Sequence, residues 1–308
     1  MHNNEFARLK NDLEAYFPKA KVLIDEPMSK HTTFRIGGPA DIYIEPATSE
    51  VVPLINLLRN QQVPFVVIGN GSNLLVSDQG IEGVVVSLGA NASEITVEGE
   101  TITAEAGALL SKLANTAAAS ELTGLEFAAG IPGSVGGAVF MNAGAYGSEI
   151  NDVIISATVL TPEYTFEEWS RDELKLSYRH SSVMDRGAIV LSASFKLEKG
   201  DPEAIQSKMD ELKEKRVSKQ PLNYPSAGST FKRPEGYFAG KLIEDAGLRG
   251  YTVGDACVSE KHCGFVVNKG KATAEDVLKL MKDVDSKVFD MAGVHLEPEV
   301  RILGRGLQ

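Results

Sequence analysis

AAGIPGSVGGAVFMNAGAYG, Ala128 to Gly147, is a charge-free run of twenty residues in which six are Gly and five are Ala. Glycine is costly to order, so a segment this rich in it must turn sharply or let its backbone approach something closely. An upstream segment, GNGSN (Gly69 to Asn73), follows the apolar run Phe65 to Ile68. Successive N–H groups on glycines, together with a Ser hydroxyl, suit a nest around phosphate oxygens. The segment is not the G-x-G-x-x-G fingerprint, and the Leu74, Leu75 and Val76 that follow read as strand rather than helix. Two Gly-rich cradles, GNGSN and the pair GIPGSVGGA (Gly130 to Ala138) and NAGAYG (Asn142 to Gly147), are better explained by one long ligand with a pyrophosphate than by unrelated turns. Tight packing of small residues is the competing explanation.

The chain has 308 residues, with 31 Lys and Arg against 42 Asp and Glu, a formal charge of −11. Nucleic acid and anionic membrane would be repelled at long range by such a surface, so neither is expected as a partner. The acidity is uneven: from Lys213 to Lys241 there are seven Lys and Arg against two acids, a basic island suited to a small polyanion. Hydrophobic residues make up 43% and charged residues 24%, the balance of a folded chain long enough for one large or several smaller domains. Cys257 and Cys263 form no disulfide framework and lack a second pair for zinc. His262 beside Cys263 has no third ligand, and His31, His180 and His295 lie in separate segments, so no metal is expected. The N-terminus, MHNNEFARLKNDLEAYF, has no apolar h-region, and no run approaches the ~18 apolar residues of a membrane span. A cytoplasmic location is the expectation.

Local patterns predict alternating elements. Strands are expected at Ile42 to Ile44, Phe65 to Ile68, Val84 to Val86 and Thr101 to Ala106. Helices are expected from a Thr48 or Ser49 cap through Asn60, with Pro53 tolerated in the first turn, and from Leu109 to Ser120. Val153 to Leu160 and Ile189 to Leu197 read as paired strands. A charged helix runs from Pro202 to about Ser218, then a Pro/Ser/Gly loop from Gln220 to Ser229. A helix at Ala239 to Ala246 stops at Gly247, a C-cap. Thr273 starts an amphipathic helix with Val277, Leu278, Met281, Val284 and Val288 on its apolar face, ending before Gly293. A last strand is expected at Val300 to Leu303.

With TTFRIGG (Thr32 to Gly38), SYRHS (Ser177 to Ser181), SAGSTFKRP (Ser226 to Pro234) and LEPEVRILG (Leu296 to Gly304), the cradles form an ordered set of motifs. From about residue 30 onward the chain resembles the UDP-N-acetylenolpyruvoylglucosamine reductase family, the MurB family of peptidoglycan synthesis. It resembles the shorter subtype, without an additional Tyr-bearing insertion between Arg179 and Arg216. The resemblance implies an α+β fold: an FAD-binding domain of the vanillyl-alcohol-oxidase (PCMH) type in two subdomains, residues 1–80 and 81–203, and a C-terminal α+β substrate-binding domain, residues 204–308.

The same resemblance implies FAD as cofactor and NADPH as co-substrate. FAD is held by Gly69, Asn70, Gly71, Ser72, Asn73, Leu74, Gly130, Ile131, Pro132, Gly133, Ser134, Gly136, Gly137, Asn142, Gly144, Ala145 and Ile189. Relatives in the wider superfamily attach FAD through a His, sometimes with a Cys, in the first cradle. Gly69 to Asn73 contains neither, so noncovalent binding is expected. The implied reaction reduces UDP-GlcNAc-enolpyruvate to UDP-N-acetylmuramate. An enolpyruvyl ether is an acrylate-like acceptor, so the step needs a hydride donor, a cation or acid at the carboxylate and a proton donor at the α-carbon. Arg179 matches the family's catalytic Arg, with a fork suited to two carboxylate oxygens. Glu299 matches the acid beside that carboxylate, and Ser229 matches the proton donor, with Lys232 or Lys241 as the assisting cation. Arg216, Lys219, Tyr146, Tyr178 and Lys232 are implied substrate contacts, although Arg233 stands where some relatives carry Asn. A monomer is expected. Two other functions compete: a flavin oxidase of the superfamily that needs no Ser229, and a noncatalytic nucleotide-binding regulator that needs none of Arg179, Ser229 and Glu299.

Overall fold

Phe65–Ile68 lies parallel to Ile81–Ser87, with Phe65 opposite Val84 and Ile68 opposite Ser87. Parallel neighbours cannot be joined by a hairpin. The crossover from Gly69 to Gly80 contains GNGSN and a short strand, Leu74–Val76, which pairs in parallel with Arg301–Leu303. The computed structural model describes residues 3–306. The chain forms two compact units, the first from the chain up to Ile24, Ile42–Asn70 and Val84–Arg216, the second from Asp25–Asp41, Gly71–Gly83 and Val217 onward. GNGSN is therefore divided after Asn70.

Two sheets organise the first part of the chain. One has the strand order Lys21–Pro27, Pro39–Glu45, Ile81–Ser87, Phe65–Ile68. The other is antiparallel, in the order Phe166–Ser170, Ile154–Leu160, Ile189–Lys196, Thr101–Glu105, Ile95–Glu98. The two long apolar runs pair as their composition predicts, with Ala157 opposite Ala193. Helix Thr48–Asn60 buries Val51, Leu54, Ile55 and Leu58 at the spacing of one helical face, and helix Leu110–Ala119 buries Leu110, Leu113, Ala114 and Ala117. These join Ile42, Ile44, Val84, Val86, Ile102 and Phe195 in one core. Each such side chain contributes about 1.5–3 kcal/mol when fully buried.

The start of helix Thr48–Asn60 differs from the expectation. Ala47, not Thr48 or Ser49, is the N-cap, and the Glu50 carboxylate accepts from the Ala47 N–H at 3.0 Å. Thr48 Oγ1 is buried without a partner. Glu50 reaches back across the turn and makes a hydroxyl cap unnecessary. Pro53 accordingly sits in the second turn rather than the first, where it removes one helix hydrogen bond.

In the second unit an antiparallel sheet has the order Ser226–Ser229, Phe265–Asn268, Ala256–Val258, Thr252–Val253. Ser226–Ser229, the tail of the expected Gln220 to Ser229 loop, is its edge strand, because pairing with Phe265–Asn268 supplies order that its composition does not. Helix Ala239–Asp245 ends through Gly247 at φ +70°, whose N–H bonds to Glu244 O at 2.9 Å. Helix Ala274–Ala292 buries Val277, Leu280, Met281, Val284 and Val288, while Leu278 is only partly buried. The buried face thus includes Leu280 in place of the expected Leu278. Its N-terminus is doubly capped. Thr273 Oγ1 accepts from Asp276 N at 3.0 Å, and Asp78 accepts from Ala274 N and Glu275 N at 3.0 and 3.2 Å. Among the described residues no helix is long and apolar enough to cross a membrane.

Asp78→Ala leaves two helix-terminal N–H groups without their acceptor. It should lower unfolding free energy by about 1 kcal/mol, read as a shifted urea midpoint with unchanged slope.

Candidate active site

Strand Phe65–Ile68 delivers the chain to Gly69, where a Cβ would sit 2.1 Å from Ser134 Oγ. Only glycine fits. Asn70 Nδ2 then donates to Pro132 O at 2.7 Å, fastening the first glycine segment to the second. Gly136 packs its Cα face against Ala106, with a Cβ there only 2.9 Å from Ala106 Cβ, whereas an added Cβ at Gly137 would meet Ser134 Oγ at 3.5 Å, an ordinary contact. Ser134 is 2% exposed, and its hydroxyl has no hydrogen-bond partner. A buried hydroxyl left unmade costs about 1–3 kcal/mol, so this one points to a polar ligand atom. A cradle lined by Gly69, Gly137 and an unmet hydroxyl fits a phosphate-bearing cofactor such as FAD.

Gly133 sits at the turn into helix Val135–Met141, its carbonyl accepting from Leu110 N at 2.9 Å, and Ile131 packs partly against the core. Gly144 and Ala145 form a two-residue strand against Ser148–Glu149, and Ile189 opens the strand Ile189–Lys196. Gly130 lies under Arg216, whose Cδ would be 3.1 Å from an added Cβ. Burial draws the Arg216 guanidinium below the ordinary arginine value, opposed by interaction with Tyr146, and an Arg remains charged throughout. The structure thus groups Gly130, Tyr146 and Arg216.

Tyr178 and Arg179 occupy the tip of a turn closed by two backbone bonds of 3.1 Å, Ser177 N to His180 O and His180 N to Ser177 O. Arg179 has φ +56° and Tyr146 φ +57°, left-handed values that cost a non-Gly residue about 1–3 kcal/mol and concentrate at functional sites. The Arg179 guanidinium lies 5.0 Å from the centre of the half-exposed Tyr178 ring. Asn142, fully buried at φ +45°, donates from Nδ2 to Ser177 O at 3.1 Å and accepts at Oδ1 from Asn151 N at 3.0 Å.

In the second unit Gly71 (φ +61°) approaches the backbone of His31, whose oxygen would be 1.9 Å from an added Cβ. Ser72 follows in the turn, and Leu74 begins the strand that pairs with Arg301. Asn73 Nδ2 donates to Glu299 O at 3.1 Å, and Asn73 O accepts from Arg301 N at 2.9 Å. Ser229 ends an irregular strand: Ser226 faces Val267 and Ser229 faces Phe265, so one extra residue is accommodated, with Gly228 at φ +77°. Such bulges re-aim side chains. Thr230 N donates to Gly264 O at 2.9 Å and Thr230 O accepts from Glu299 N at 2.8 Å. Ser229 and Glu299 are therefore brought side by side through Thr230. Val300 is buried and Glu299 half-buried, but both precede the strand, which begins at Arg301 rather than at the expected Val300.

Lys232 pairs with Glu297 at 3.2 Å, and Lys241 pairs with Asp245, whose hydrogen bond raises the ammonium above the ordinary lysine value. Lys219 is exposed. His262 went unassigned in the sequence yet belongs to this neighbourhood. Its Nδ1 accepts from Gly264 N at 3.1 Å, in the turn that binds Thr230, and burial lowers its affinity for a proton. No local signal reveals this, because the pairing of Thr230 with Gly264 is tertiary.

Known proteins resemble the chain closely. A family model described as the UDP-N-acetylenolpyruvoylglucosamine reductase C-terminal domain matches residues 220–303, and one described as an FAD binding domain matches residues 40–168. The chain is 60% identical over 299 residues to the UDP-N-acetylenolpyruvoylglucosamine reductase of Agathobacter rectalis, covering 93% of this chain and 95% of that one. It is 52% identical over 297 residues to that of Caldanaerobacter subterraneus subsp. tengcongensis, covering 96% and 98%. The crystal structure of UDP-N-acetylenolpyruvylglucosamine reductase from Thermus caldophilus matches with a TM-score of 0.79 and 35% identity, over 92% of this chain and 98% of that one.

Gly69→Ala should yield folded protein that purifies with little flavin, read from the ratio of flavin to protein absorbance. Ser134→Ala should weaken FAD binding roughly tenfold, for a hydrogen bond of about 1.4 kcal/mol. Wild-type affinity in Ser134→Ala would mean that the hydroxyl does not meet the cofactor.

Proposed function

The chain belongs to the UDP-N-acetylenolpyruvoylglucosamine reductase family, and from that premise we propose how its residues divide the work. The activity is FAD-dependent oxidoreduction in which NADPH is oxidised and UDP-GlcNAc-enolpyruvate is reduced to UDP-N-acetylmuramate for peptidoglycan synthesis. The fold is α+β, an FAD-binding domain followed by a C-terminal domain. Bound FAD supplies a two-electron carrier between NADPH and substrate.

Cofactor binding falls to Gly69, Asn70 and the Gly130–Gly137 segment, with the Ser134 hydroxyl turned to a ligand oxygen. The observation that carries this reading is the buried, unmet Ser134 hydroxyl beside a glycine that admits no Cβ. Gly71, Ser72, Asn73, Leu74, Asn142, Gly144, Ala145 and Ile189 complete the cofactor-binding set.

Reduction of the enolpyruvyl ether adds a hydride to its terminal carbon and a proton to its α-carbon. As the hydride adds, negative charge develops toward the carboxylate. Arg179 holds that carboxylate, its strained turn fixing the guanidinium before the charge appears. Glu299 is assigned as the acid that serves the same carboxylate. Ser229 hands its proton to the α-carbon. A serine is a weak acid, and it serves here because the enolate is a far stronger base. The bulge at Gly228 fixes the direction of that hydroxyl. Arg216 and Lys219 bind the substrate diphosphate, and Lys232, Tyr146 and Tyr178 are further substrate contacts. Buried Cys257 and Cys263, both free thiols, support a cytoplasmic enzyme, and we take it to act as a monomer.

Purified protein should show a flavin spectrum and oxidise NADPH only when UDP-GlcNAc-enolpyruvate is present. Substrate-independent oxidation, or protein that takes up no FAD, would sink the reading. In Ser229→Ala the flavin should still be bleached by NADPH at the wild-type rate, while recovery of its colour on adding substrate slows by at least a hundredfold. Equal slowing of both half-reactions would remove Ser229 from the proton-donor role.

A further inference from the structure

Helix Val135–Met141 starts at Ser134 and ends at Asn142. Both ends are committed. The N-terminal end carries the Ser134 hydroxyl and Gly137 of the cofactor cradle. At the C-terminal end two side-chain bonds hold the segment that presents Arg179: Asn142 Nδ2 donates to Ser177 O at 3.1 Å, and Ser181 Oγ donates to Phe140 O at 2.7 Å. Ser177 and His180 close the loop between those anchors with their reciprocal backbone bonds. Asn142 and Ser181 are each fully buried.

The amide of Asn142 is spoken for at both ends. Its Oδ1 accepts from Asn151 N at 3.0 Å while Nδ2 serves Ser177. Its φ of +45° suits Asn or Gly far better than other residues. A fully buried side chain whose donor and acceptor both bind backbone is built to hold chain segments in register. Seven helical residues span about 10 Å at 1.5 Å each, a rigid strut from the cofactor cradle to the Arg179 turn.

We propose that Asn142 is a positioning residue for Arg179: its side-chain amide, seconded by Ser181, clamps the Ser177–Ser181 turn to the end of the helix whose beginning holds the cofactor. This rests on the reading of Arg179 as the carboxylate-binding residue. It assigns the Asn142 side chain a task distinct from contact with FAD. The strained turn at Arg179 persists because the clamp over-determines it.

The test uses flavin-loaded enzyme carrying Asn142→Gly, which keeps the left-handed backbone and loses both amide bonds, and separately Ser181→Ala. Ser181→Ala, outside the cofactor-binding set, should bind a full complement of FAD and be reduced by NADPH at the wild-type rate; Asn142→Gly is assayed after saturation with FAD. Reoxidation by UDP-GlcNAc-enolpyruvate should slow roughly tenfold to a hundredfold, the cost of a small misplacement of a catalytic group. Amide hydrogen exchange at Ser177 and His180 should quicken in both variants. In an Arg179→Lys background, Asn142→Gly should add little further loss, because the two act as one unit. The proposal is overturned if the losses multiply in that background, if flavin content or reduction by NADPH falls in Ser181→Ala, or if exchange at Ser177 and His180 is unaltered. Wild-type enzyme that substrate cannot reoxidise overturns the proposed function instead, and the exchange measurement still decides the clamp.

Discussion

Between the Cα of Gly69 and the hydroxyl of Ser134 there is no room for a carbon atom, and much of the first unit's functional architecture depends on that closeness. A strand ends there, a second glycine-rich segment passes beneath it, and Asn70 bonds across to Pro132 O. Any side chain at position 69 would force the Ser134 hydroxyl to turn out of its place in the cradle. The need for such a junction traces to sheet topology. Phe65–Ile68 and Ile81–Ser87 are parallel, so the chain must leave the sheet and return, and its point of departure is Gly69.

From Ser134 the consequences run along one short helix. Val135–Met141 converts the position of the cradle into the position of Asn142, and Asn142 fixes Ser177. Strain at Arg179 is thereby stored in a turn that hydrogen bonds hold at both ends. The second unit positions its residues chiefly through backbone bonds at Thr230, with Asn73 Nδ2 donating to Glu299 O. Thr230 is bonded to Gly264 on one side and to Glu299 on the other, so a hydroxyl-bearing residue and a carboxylate-bearing residue are made neighbours by the backbone between them. The bulge that ends at Ser229 then selects the direction of its hydroxyl.

Long apolar elements were legible from residue patterns. Ile154–Leu160 and Ile189–Lys196 paired as read, and helix Ala274–Ala292 began at Thr273 and stopped at Gly293, because capping chemistry and apolar periodicity are local. Short polar elements were not. Ser226–Ser229 reads as loop and becomes strand only because Phe265–Asn268 lies beside it. Thr48 reads as a cap, yet Glu50 closes that turn and leaves the Thr48 hydroxyl unpartnered. Pro53 was placed in a first turn and lies in a second. Each error arose where a side chain three residues away, or a strand some forty residues away, outweighed intrinsic preference.

The sequence by itself determined that the chain carries two glycine-rich cradles, an acidic body with a basic island, and an ordered set of motifs sufficient to identify its family and chemistry. Glycine content, charge and motif order are properties of the chain written out in line, so no folding is needed to read them. Tertiary structure alone decided that Ser134 is buried with an unmet hydroxyl, that Asn142 faces Ser177, and that Thr230 joins Ser229 to Glu299. Those facts depend on which distant backbone groups come within 3 Å of one another. That is fixed by sheet register and helix placement, which no single local segment encodes.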